Sequence, residues 1–282
     1  MACTGDLRPH DLPALNNEFT LRYGAPVGPM AAGNDVIASL LSHRSIRGYL
    51  GDALPEGTVE LLVAAAQSAA TSSNMQLWSV IAVEDPATLA KLAELSNGQK
   101  HIAQAPLNLV WLVDLSRAER IGEAHGHEFP VLPYTETFMV GVIDAALAAQ
   151  NAVVAAESLG LGTVYIGAMR NHPQAVAELL GLPPQVMAVF GLCVGTPDPA
   201  QPTQVRPRLP QSVVLHRERY STAGEAEGIA SYEQRFADYQ KAEGLPTSGW
   251  LSRVFDRLGT LRSMSGRDKM LGALAALGFK LD

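Results

Sequence analysis

The feature that most constrains the fold is a long segment at residues 135–159, which has helical periodicity and is apolar on nearly every face. Its large apolar side chains are Phe138, Met139, Val140, Val142, Ile143, Leu147, Val153 and Val154. A helix that is apolar all round has to be covered on every side. Polar residues such as Asp144, Gln150 and Glu157 interrupt any run of the roughly 20 apolar residues that a bilayer span needs. The segment is therefore predicted to be a core helix, covered by its own chain or, as the more natural cover, by a partner subunit.

Helix and strand patterns alternate on both sides of this segment. Helices are predicted at 36–41, 58–70, 86–95 and 173–180, and strands at 78–83, 107–113, 162–166 and 186–194. Asn34 and Asp35 supply N-cap chemistry for the first helix. Beyond residue 215 the apolar residues recur at helical spacing, which predicts mainly helices. Residues 1–33 contain Pro, Gly and Asn and are predicted to form an arm.

Composition limits the classes of partner. The chain has 282 residues, 47% of them hydrophobic, and a formal net charge of −7. This content is ample for a packed core, and the acidic balance argues against a general nucleic-acid or anionic-membrane surface. The N-terminus has no apolar signal-peptide region, so a cytoplasmic location is expected.

Two short cationic segments stand out in this acidic chain. The first, at residues 42–47, contains His43, Arg44 and Arg47, and the second contains Arg206 and Arg208 within a proline-rich run. Arginine offers a planar fork of donors that suits phosphate, and prolines stiffen the second segment. The first segment follows a helix C-terminus, where the macrodipole disfavours anions, so the arginines would have to supply the attraction. The alternative is a basic helix end with solvated arginines.

Other candidate sites are weaker. The sequence Gly-Leu-Gly at 160–162 leaves a helix and enters a strand, the reverse of the dinucleotide-binding order, so it predicts a helix stop. His125 and His127 lie in a charged, glycine-containing context that predicts a solvated loop rather than a metal site. Cys193 lies in an apolar run and is predicted to be a buried hydrophobic residue, with no disulfide to Cys3.

Seven motifs occur in a fixed order along the chain. They are HRSIR at 43–47, GQKH at 98–101, AQNA at 149–152, AESLGLG at 156–162, VYIG at 164–167, FGLCVG at 190–195 and RPRLP at 206–210. This ordered set resembles the flavin-dependent nitroreductase superfamily, and its nearest branch is the group A oxygen-insensitive nitroreductases, which includes flavin reductase P. The resemblance is strong from about Asp35 to Tyr220 and continues more faintly to Phe279.

The resemblance implies an α+β, nitroreductase-like fold in which helices flank a central, mixed but mainly antiparallel sheet. It also implies an intertwined homodimer. The expected domain organisation is an arm at 1–33, an FMN-binding core at 34–215 and a helical extension of the same domain at 216–282.

The resemblance also implies positions for an FMN cofactor. The residues expected at the ribityl phosphate are His43, Arg44, Ser45, Arg206 and Arg208. Arg47 is expected near the N1 edge of the ring, where a cation favours the reduced form electrostatically.

Further positions are expected around the flavin ring. Gln99 would meet its polar edge, and Gly167 and Ala168 would approach N5 through backbone groups. Tyr165 and Ile166 are expected as further cofactor-binding positions. A second set would reach the flavin of the neighbouring subunit, namely Ser72, Ser73, Asn74 and Gln76. Local alternatives stay open, since Tyr165 could be a core residue, Gly167 a turn, Gln99 a loop amide and the serines helix caps.

The activity implied by the resemblance is hydride transfer from NAD(P)H to nitroaromatic or quinone acceptors by a ping-pong mechanism. The chemistry takes place at flavin N5, so no catalytic side chain is required. One alternative is a flavin reductase that supplies reduced FMN to a partner, and another is a non-catalytic flavin-binding protein.

Two departures from the family pattern concern the substrates. The loop that often reads Ser-Ser-Ser-Phe has Asn74 in the last position, so an aromatic wall of the acceptor pocket is expected to be missing. An arginine that meets the 2′-phosphate of NADPH in the family is replaced by Glu243 before Gly244. Arg267 matches another cationic position for the nicotinamide nucleotide. The pattern predicts weakened NADPH preference and use of NADH.

Overall fold

The structure, a computed structural model, describes residues 12–25 and 33–282. The helices in this part of the chain are α1 Leu12–Tyr23, α2 Asp35–Ser42, α3 Thr58–Gln67, α4 Pro86–Leu95, α5 Lys100–Gln104, α6 Ser116–His125, α7 Thr135–Ser158, α8 Pro173–Leu180, α9 Gln211–Val214, α10 Glu225–Ala242, α11 Gly249–Leu258 and α12 Met270–Ala276. The strands are β1 Trp78–Val83, β2 Leu107–Asp114, β3 Gly162–Ile166 and β4 Val186–Gly195. Short 3-10 helices lie at Ser72–Asn74, Gly167–Arg170, Leu261–Met264 and Arg267–Lys269.

The chain forms two compact units. Unit 1 comprises Met1–Arg44 and Pro202–Ser263, and unit 2 comprises Ser45–Gln201 and Met264–Asp282. Each unit therefore combines segments that are far apart in the sequence. The division expected at residues 33 and 215 stays a prediction.

The N-terminal segment differs from the expected arm. Its described part includes α1, whose Leu15 is buried and lies so close to Gly33 that a Cβ there would approach a Leu15 methyl carbon to 1.9 Å. Tertiary packing therefore holds this helix, and the Pro, Gly and Asn content of the segment did not reveal it. The expected arm also covers residues 1–11 and 26–32, which lie outside the described residues.

The sheet in unit 2 confirms the predicted fold class. Its strand order is β1-β2-β4-β3, and each neighbouring pair is antiparallel. The parallel component in the described chain is an isolated bridge between Ser45 and Thr163. Every residue of β2 is buried, which explains why this strand appears in the sequence as an almost continuous apolar run.

The two faces of the sheet are covered by different helices. Alternate side chains of β2, Leu107, Leu109 and Trp111, pack in one cluster with residues of α3 and α7. Val110 and Leu112 belong to a second cluster with residues of α4, α5 and α8. The period-two alternation of a strand thus divides the core into two layers.

Helix α7 has one covered face and one exposed face. Small residues on its buried face allow close packing, and a Cβ on Gly141 would lie 2.5 Å from a methyl carbon of Val113. Met139, Ile143 and Leu147 are 50%, 53% and 44% exposed. By length and composition α7 could cross a membrane, but its small-residue face packs on the sheet as a core helix does.

Two helices of unit 2 were not predicted. Helix α5 has only five residues, and α6 is mainly polar, so neither has a clear apolar periodicity. The Asp114 carboxylate at the end of β2 accepts hydrogen bonds from Ser116 Oγ at 2.7 Å and Arg117 N at 3.2 Å. The Asp114 carboxylate thus provides acceptors for polar groups in the first turn of α6. The start of this helix therefore depends on a residue of the preceding strand and has no clear apolar pattern of its own.

Candidate functional site

A buried arginine joins the two cationic segments of unit 1. Arg22, on α1, is only 5% exposed. Its Nε donates to Leu41 O at 2.8 Å, its Nη1 donates to Arg206 O at 2.9 Å, and its Nη2 donates to His43 O. Arg208 N donates in return to Arg22 O at 2.9 Å. One guanidinium therefore brings the end of α2 and the Arg206–Arg208 loop together, although the two lie more than 160 residues apart in sequence.

The side chains of this region differ in exposure. Helix α2 begins at the predicted N-cap, where Asn34 Oδ1 accepts from Ile37 N at 3.0 Å, and ends before His43. His43 and Arg206 are half-buried, whereas Arg44 and Arg208 are exposed. Arg22 thus binds carbonyl oxygens, whereas the Arg44 and Arg208 side chains reach solvent.

The Arg206–Arg208 loop has a second support within unit 1. Tyr232 on α10 is buried, and its hydroxyl donates to Pro207 O at 3.1 Å. Burial raises the pKa of Tyr232, while the charges of Arg208 and Arg206 act in the opposite direction. The prediction that this proline-containing loop holds its arginines in defined directions is consistent with these contacts.

In unit 2 the segment that starts at Ser45 runs beside the sheet. Ser45 bridges Thr163, and Ile46 N donates to Thr163 O at 2.9 Å. Ile46 is buried, and a Cβ on Gly162 would lie 2.8 Å from its side-chain carbons. The glycine at the start of β3 therefore permits the close approach that places Ser45 and the residues after it.

Arg47 acts electrostatically on His101, which shows that two of the predicted motifs lie near each other in unit 2. The pKa of His101 is lowered first by burial and then by the charge of Arg47. His101 Nε2 is buried without a hydrogen-bond partner. Gln99 directly precedes α5, and its Nε2 donates to Ser96 O at 2.9 Å, so Gln99 is more constrained than an exposed loop amide.

The segment after β3 places the next predicted residues. The Tyr165 ring packs edge-on against Phe190, with ring centroids 5.2 Å apart, and Ile166 is buried. Gly167 and Ala168 open a 3-10 helix and are half-buried. A Cβ on Gly167 would meet Arg170 Nη2 at 3.4 Å, an ordinary contact, and Gly167 has no positive φ. The described chain therefore gives no steric reason for glycine at this position.

The loop at residues 71–76 is held by a buried carboxylate. Asp144 on α7 is 2% exposed and accepts hydrogen bonds from Thr71 Oγ1 and, at 3.1 Å, from Ser72 N. Ser73, Asn74 and Gln76 have φ of 50°, 55° and 53°. Side-chain-bearing residues adopt this left-handed conformation at a cost, so the surrounding contacts have to hold the loop.

The exit of the same loop is fixed by Arg117. Its Nη1 donates to Gln76 O at 2.8 Å, and its Nη2 donates to Trp78 O at 3.1 Å. The side chains of Ser72, Ser73, Asn74 and Gln76 are exposed. The loop thus has a fixed backbone and presents polar side chains outward.

The residues expected to meet the nicotinamide nucleotide lie in different units. Glu243, in unit 1, ends α10 and accepts a hydrogen bond from Gln204 N at 3.3 Å. Arg267, in unit 2, is half-buried and its Nε donates to Met264 O at 2.9 Å.

Several residues that organise the site were missed by sequence reasoning. Arg22 gives no signal because it lies in the segment expected to be an arm, and in the sequence Asp144 only interrupts the apolar helix. Arg117 lies on the unpredicted α6. His101 belongs to the GQKH motif, but the resemblance implies no role for it. The described residues contain no cluster of three or more His, Cys, Asp or Glu suited to a metal ion, and His125 is the last residue of α6 rather than part of a loop.

Comparison with known proteins places this geometry in a family. Residues 40–196 match the model of the Nitroreductase family, and residues 206–282 match its C-terminal domain. The chain is 38% identical over 232 residues to an FMN reductase (NAD(P)H) of Bacillus subtilis, covering 80% of this chain and 92% of that protein. It is 40% identical over 212 residues to an oxygen-insensitive NADPH nitroreductase of Salmonella typhimurium, covering 75% and 85%.

Solved structures agree with the sequence comparison. NfrA2 of B. megaterium superposes with a TM-score of 0.82 at 36% identity and covers 89% of this chain and 100% of its own. The NADPH:FMN oxidoreductase of Vibrio harveyi, complexed with NAD+, gives a TM-score of 0.78 at 32% identity and covers 88% and 100%. The motifs, the antiparallel sheet and these matches lead to one assignment: the chain belongs to the nitroreductase family.

Proposed function

We propose that the chain is an NAD(P)H-dependent, FMN-containing oxidoreductase that reduces nitroaromatic and quinone acceptors. The observation that carries this proposal is the junction at Arg22, which joins the His43–Arg44 segment to the Arg206–Arg208 loop. The relatives supply the chemical class, since they are named FMN reductase and NADPH nitroreductase. An anion-binding region in an acidic family member fits the phosphate of a mononucleotide.

The residues fit FMN in three respects. Arg44, Arg206 and Arg208 offer guanidinium forks for a phosphate, with His43 and Ser45 as further polar partners. In unit 2, His101 Nε2 is a buried polar atom without a partner. Glycine at position 167 is not demanded by the fold, so close approach of a ligand is a reason for it.

When bound, FMN supplies hydride transfer at N5, and the protein binds and orients it. Arg47 would supply positive charge for the electron-rich edge of the ring, and Gln99 would supply an amide. Gly167 and Ala168, with minimal side chains, would let the backbone lie close to the reacting position, and Tyr165 and Ile166 would precede them along the same segment. No side chain of this set has to act as a general acid or base.

The nicotinamide nucleotide and the acceptor would use the same site in turn, which is a ping-pong scheme. A flavin reductase activity is the second candidate, because relatives carry the name FMN reductase. A competition experiment distinguishes the two activities: free FMN, a quinone and a nitroaromatic compound are offered together as acceptors at equal concentration. A preference for free FMN would favour the reductase.

The proposed assembly is a homodimer. Met139, Ile143 and Leu147 form an apolar stripe at helical spacing that the described chain leaves exposed on α7. In this proposal the partner covers the stripe, and Ser72, Ser73, Asn74 and Gln76 reach the flavin of the neighbouring subunit. Light scattering checks the mass, and Ile143→Glu should shift it to that of a monomer. We also propose a cytoplasmic location.

The proposed reductant preference follows from Glu243. Its carboxylate would repel the 2′-phosphate of NADPH, while Arg267 supplies a cation for the nucleotide. We expect NADH to be used at a rate comparable to NADPH. Reduction rates measured with each nucleotide at equal concentration decide this, and a strong NADPH bias contradicts it.

The function is tested by the visible spectrum of the purified protein. A flavin spectrum that bleaches on anaerobic addition of NADH or NADPH supports the oxidoreductase. A yellow protein that neither nucleotide bleaches would instead be a non-catalytic flavin-binding protein.

A second experiment tests the phosphate assignment. Arg208→Ala should weaken the free energy of FMN binding by about 1.5–3 kcal/mol, the contribution of a hydrogen bond to a charged group. Full cofactor retention in that variant contradicts the phosphate assignment.

A further inference from the structure

A cavity of about 720 Å³ in unit 1 carries an unusual set of charges. Four arginines line it, Arg206 and Arg208 from the loop and Arg253 and Arg257 from α11. No Asp or Glu is among its described lining residues. In a chain with a net charge of −7, this concentration of guanidinium groups points to an anionic ligand.

The cavity face of α11 mixes these arginines with apolar residues. Trp250, Arg253, Val254, Arg257 and Leu258 all line the cavity, and their spacing of three and four residues places them on one helix face. Such a face normally contains apolar residues alone when it packs against a core. Arg253 and Arg257 are four residues apart, about 6 Å along the helix axis, a separation suited to adjacent phosphates.

Helix α11 is held firmly against α10. Gln240 is buried, and its Oε1 accepts from Gly249 N at 2.9 Å. Glu233 Oε2 accepts from Trp250 N at 2.7 Å and Leu251 N at 2.9 Å. Gly249 has φ of 77°, and a Cβ there would lie 1.8 Å from Glu233 Oε1, so glycine is required for this contact. The arginines therefore project from a rigid support.

The arginines on α11 are also oriented individually. The Arg253 guanidinium lies 5.2 Å from the ring centroid of Phe236, a cation–π contact. Arg257 Nη1 donates to Ser263 O. The carboxylate of Asp256 accepts from Ser252 Oγ at 3.4 Å and does not line the cavity.

The four arginines of the cavity carry enough positive charge for two anionic ligands. A phosphate monoester such as that of FMN carries about −1.5 to −2 at pH 7, which Arg206 and Arg208 can match. Arg253 and Arg257 then provide two further positive charges for a second anion. We propose that Arg253 and Arg257 bind the diphosphate of the nicotinamide nucleotide, with the aromatic wall of Tyr232 and Trp250 beside it. This subsite rests on the proposed function, because it assumes FMN at the loop arginines.

The test uses the FMN-loaded protein and isothermal titration calorimetry with ADP-ribose, which carries the diphosphate but no nicotinamide. The double variant Arg253→Gln/Arg257→Gln should bind ADP-ribose at least about tenfold more weakly, a moderate loss because both groups are exposed. The KM for NADH and for NADPH should rise by the same factor. FMN content and the rate at which quinone reoxidises dithionite-reduced enzyme should stay unchanged.

Arg262→Gln is the matched control, since Arg262 is exposed in the same unit but does not line the cavity. Unchanged ADP-ribose affinity in the double variant overturns the subsite. Loss of FMN content instead would assign the two arginines to FMN, and a loss confined to NADPH would assign them to the 2′-phosphate; both results overturn the diphosphate assignment. The proposed function fails separately, if the wild-type protein lacks FMN or is not bleached by either nucleotide.

Discussion

The loop at Arg206–Arg208 and the loop at residues 71–76 are both fixed by a buried charge, but the charges have opposite sign. Arg22 donates to the carbonyl oxygens of Leu41, His43 and Arg206. Asp144 accepts from the hydroxyl of Thr71 and the amide of Ser72. The buried cation thus binds hydrogen-bond acceptors, and the buried carboxylate binds hydrogen-bond donors.

The difference determines what each loop can offer a ligand. A buried cation that occupies carbonyl oxygens leaves donors and positive side chains outside, which suits a phosphate. A buried carboxylate that occupies donors fixes a strained backbone and leaves small polar side chains outside. The sign of the buried charge that holds a loop therefore determines which groups the loop has left to offer a ligand.

The largest expected effect comes from removing the buried cation. Arg22→Leu should lower the free energy of unfolding by about 3 kcal/mol, because it leaves three partly buried carbonyl oxygens without a donor, at about 1 kcal/mol each. FMN affinity should fall at least about tenfold as the two cationic segments separate. Urea denaturation and flavin fluorescence measure the two quantities.

Arg219→Leu provides the control, since Arg219 is exposed in the same unit. Arg22→Lys sharpens the test, because one ammonium cannot reproduce the planar fork of a guanidinium. If the leucine variant kept its FMN affinity, Arg22 would be a stabilising residue without influence on the phosphate region.

A smaller effect is expected from the buried anion. Asp144→Asn keeps the shape of the side chain but replaces one acceptor with a donor, so the free energy of unfolding should fall by about 1–3 kcal/mol. Glu136→Gln, an exposed change on the same helix, should have almost no effect. Amide exchange at residues 71–76 should become faster only in the Asp144 variant, and equal exchange in both variants would contradict the anchoring role.

A still smaller effect should depend on pH. The folded-state pKa of His101 lies below its ordinary value, through burial and then through Arg47. Its contribution to stability is therefore present above the unfolded pKa of about 6.5 and is lost as the pH falls through the folded pKa. His101→Gln should reduce the loss of stability below pH 6.5, and Arg47→Gln should also make this loss smaller, because the folded-state pKa of His101 then lies nearer its unfolded value. Unfolding curves collected from pH 5 to pH 8 measure both shifts.

The smallest effect is expected at Cys193, which is buried and uncharged. Burial raises the pKa of its thiol to about 12. The native protein should leave Cys193 unmodified by a thiol reagent at pH 8, while the urea-unfolded protein should react. Mass spectrometry of the peptide that contains Cys193 distinguishes the two states, and rapid modification of the native protein would show that this part of the core opens.

The regular elements of the sheet layer were predictable from local patterns. Strands β1 and β3 and helices α4 and α8 begin and end at the predicted residues. Their apolar periodicity and terminal signals agree with their tertiary environment. Helix α6 was missed because its start depends on Asp114, a residue of the preceding strand, rather than on its own periodicity.

The site was only partly predictable. The family motifs pointed to Arg47, Gln99 and Arg206, all of which have defined places in the structure. The residues that hold the Arg206–Arg208 loop and the loop at residues 71–76, Arg22 and Asp144, bind groups 19 to 184 and 72 to 73 positions away. Contacts of that sequence separation leave no local pattern, so a single sequence cannot reveal them.

The position of Arg22 has a practical consequence. The matched family segment begins at residue 40, whereas the guanidinium that ties His43 to Arg206 comes from residue 22. A recombinant protein that begins at residue 40 would therefore lack Arg22. We expect it to release FMN during purification, even with every family motif intact.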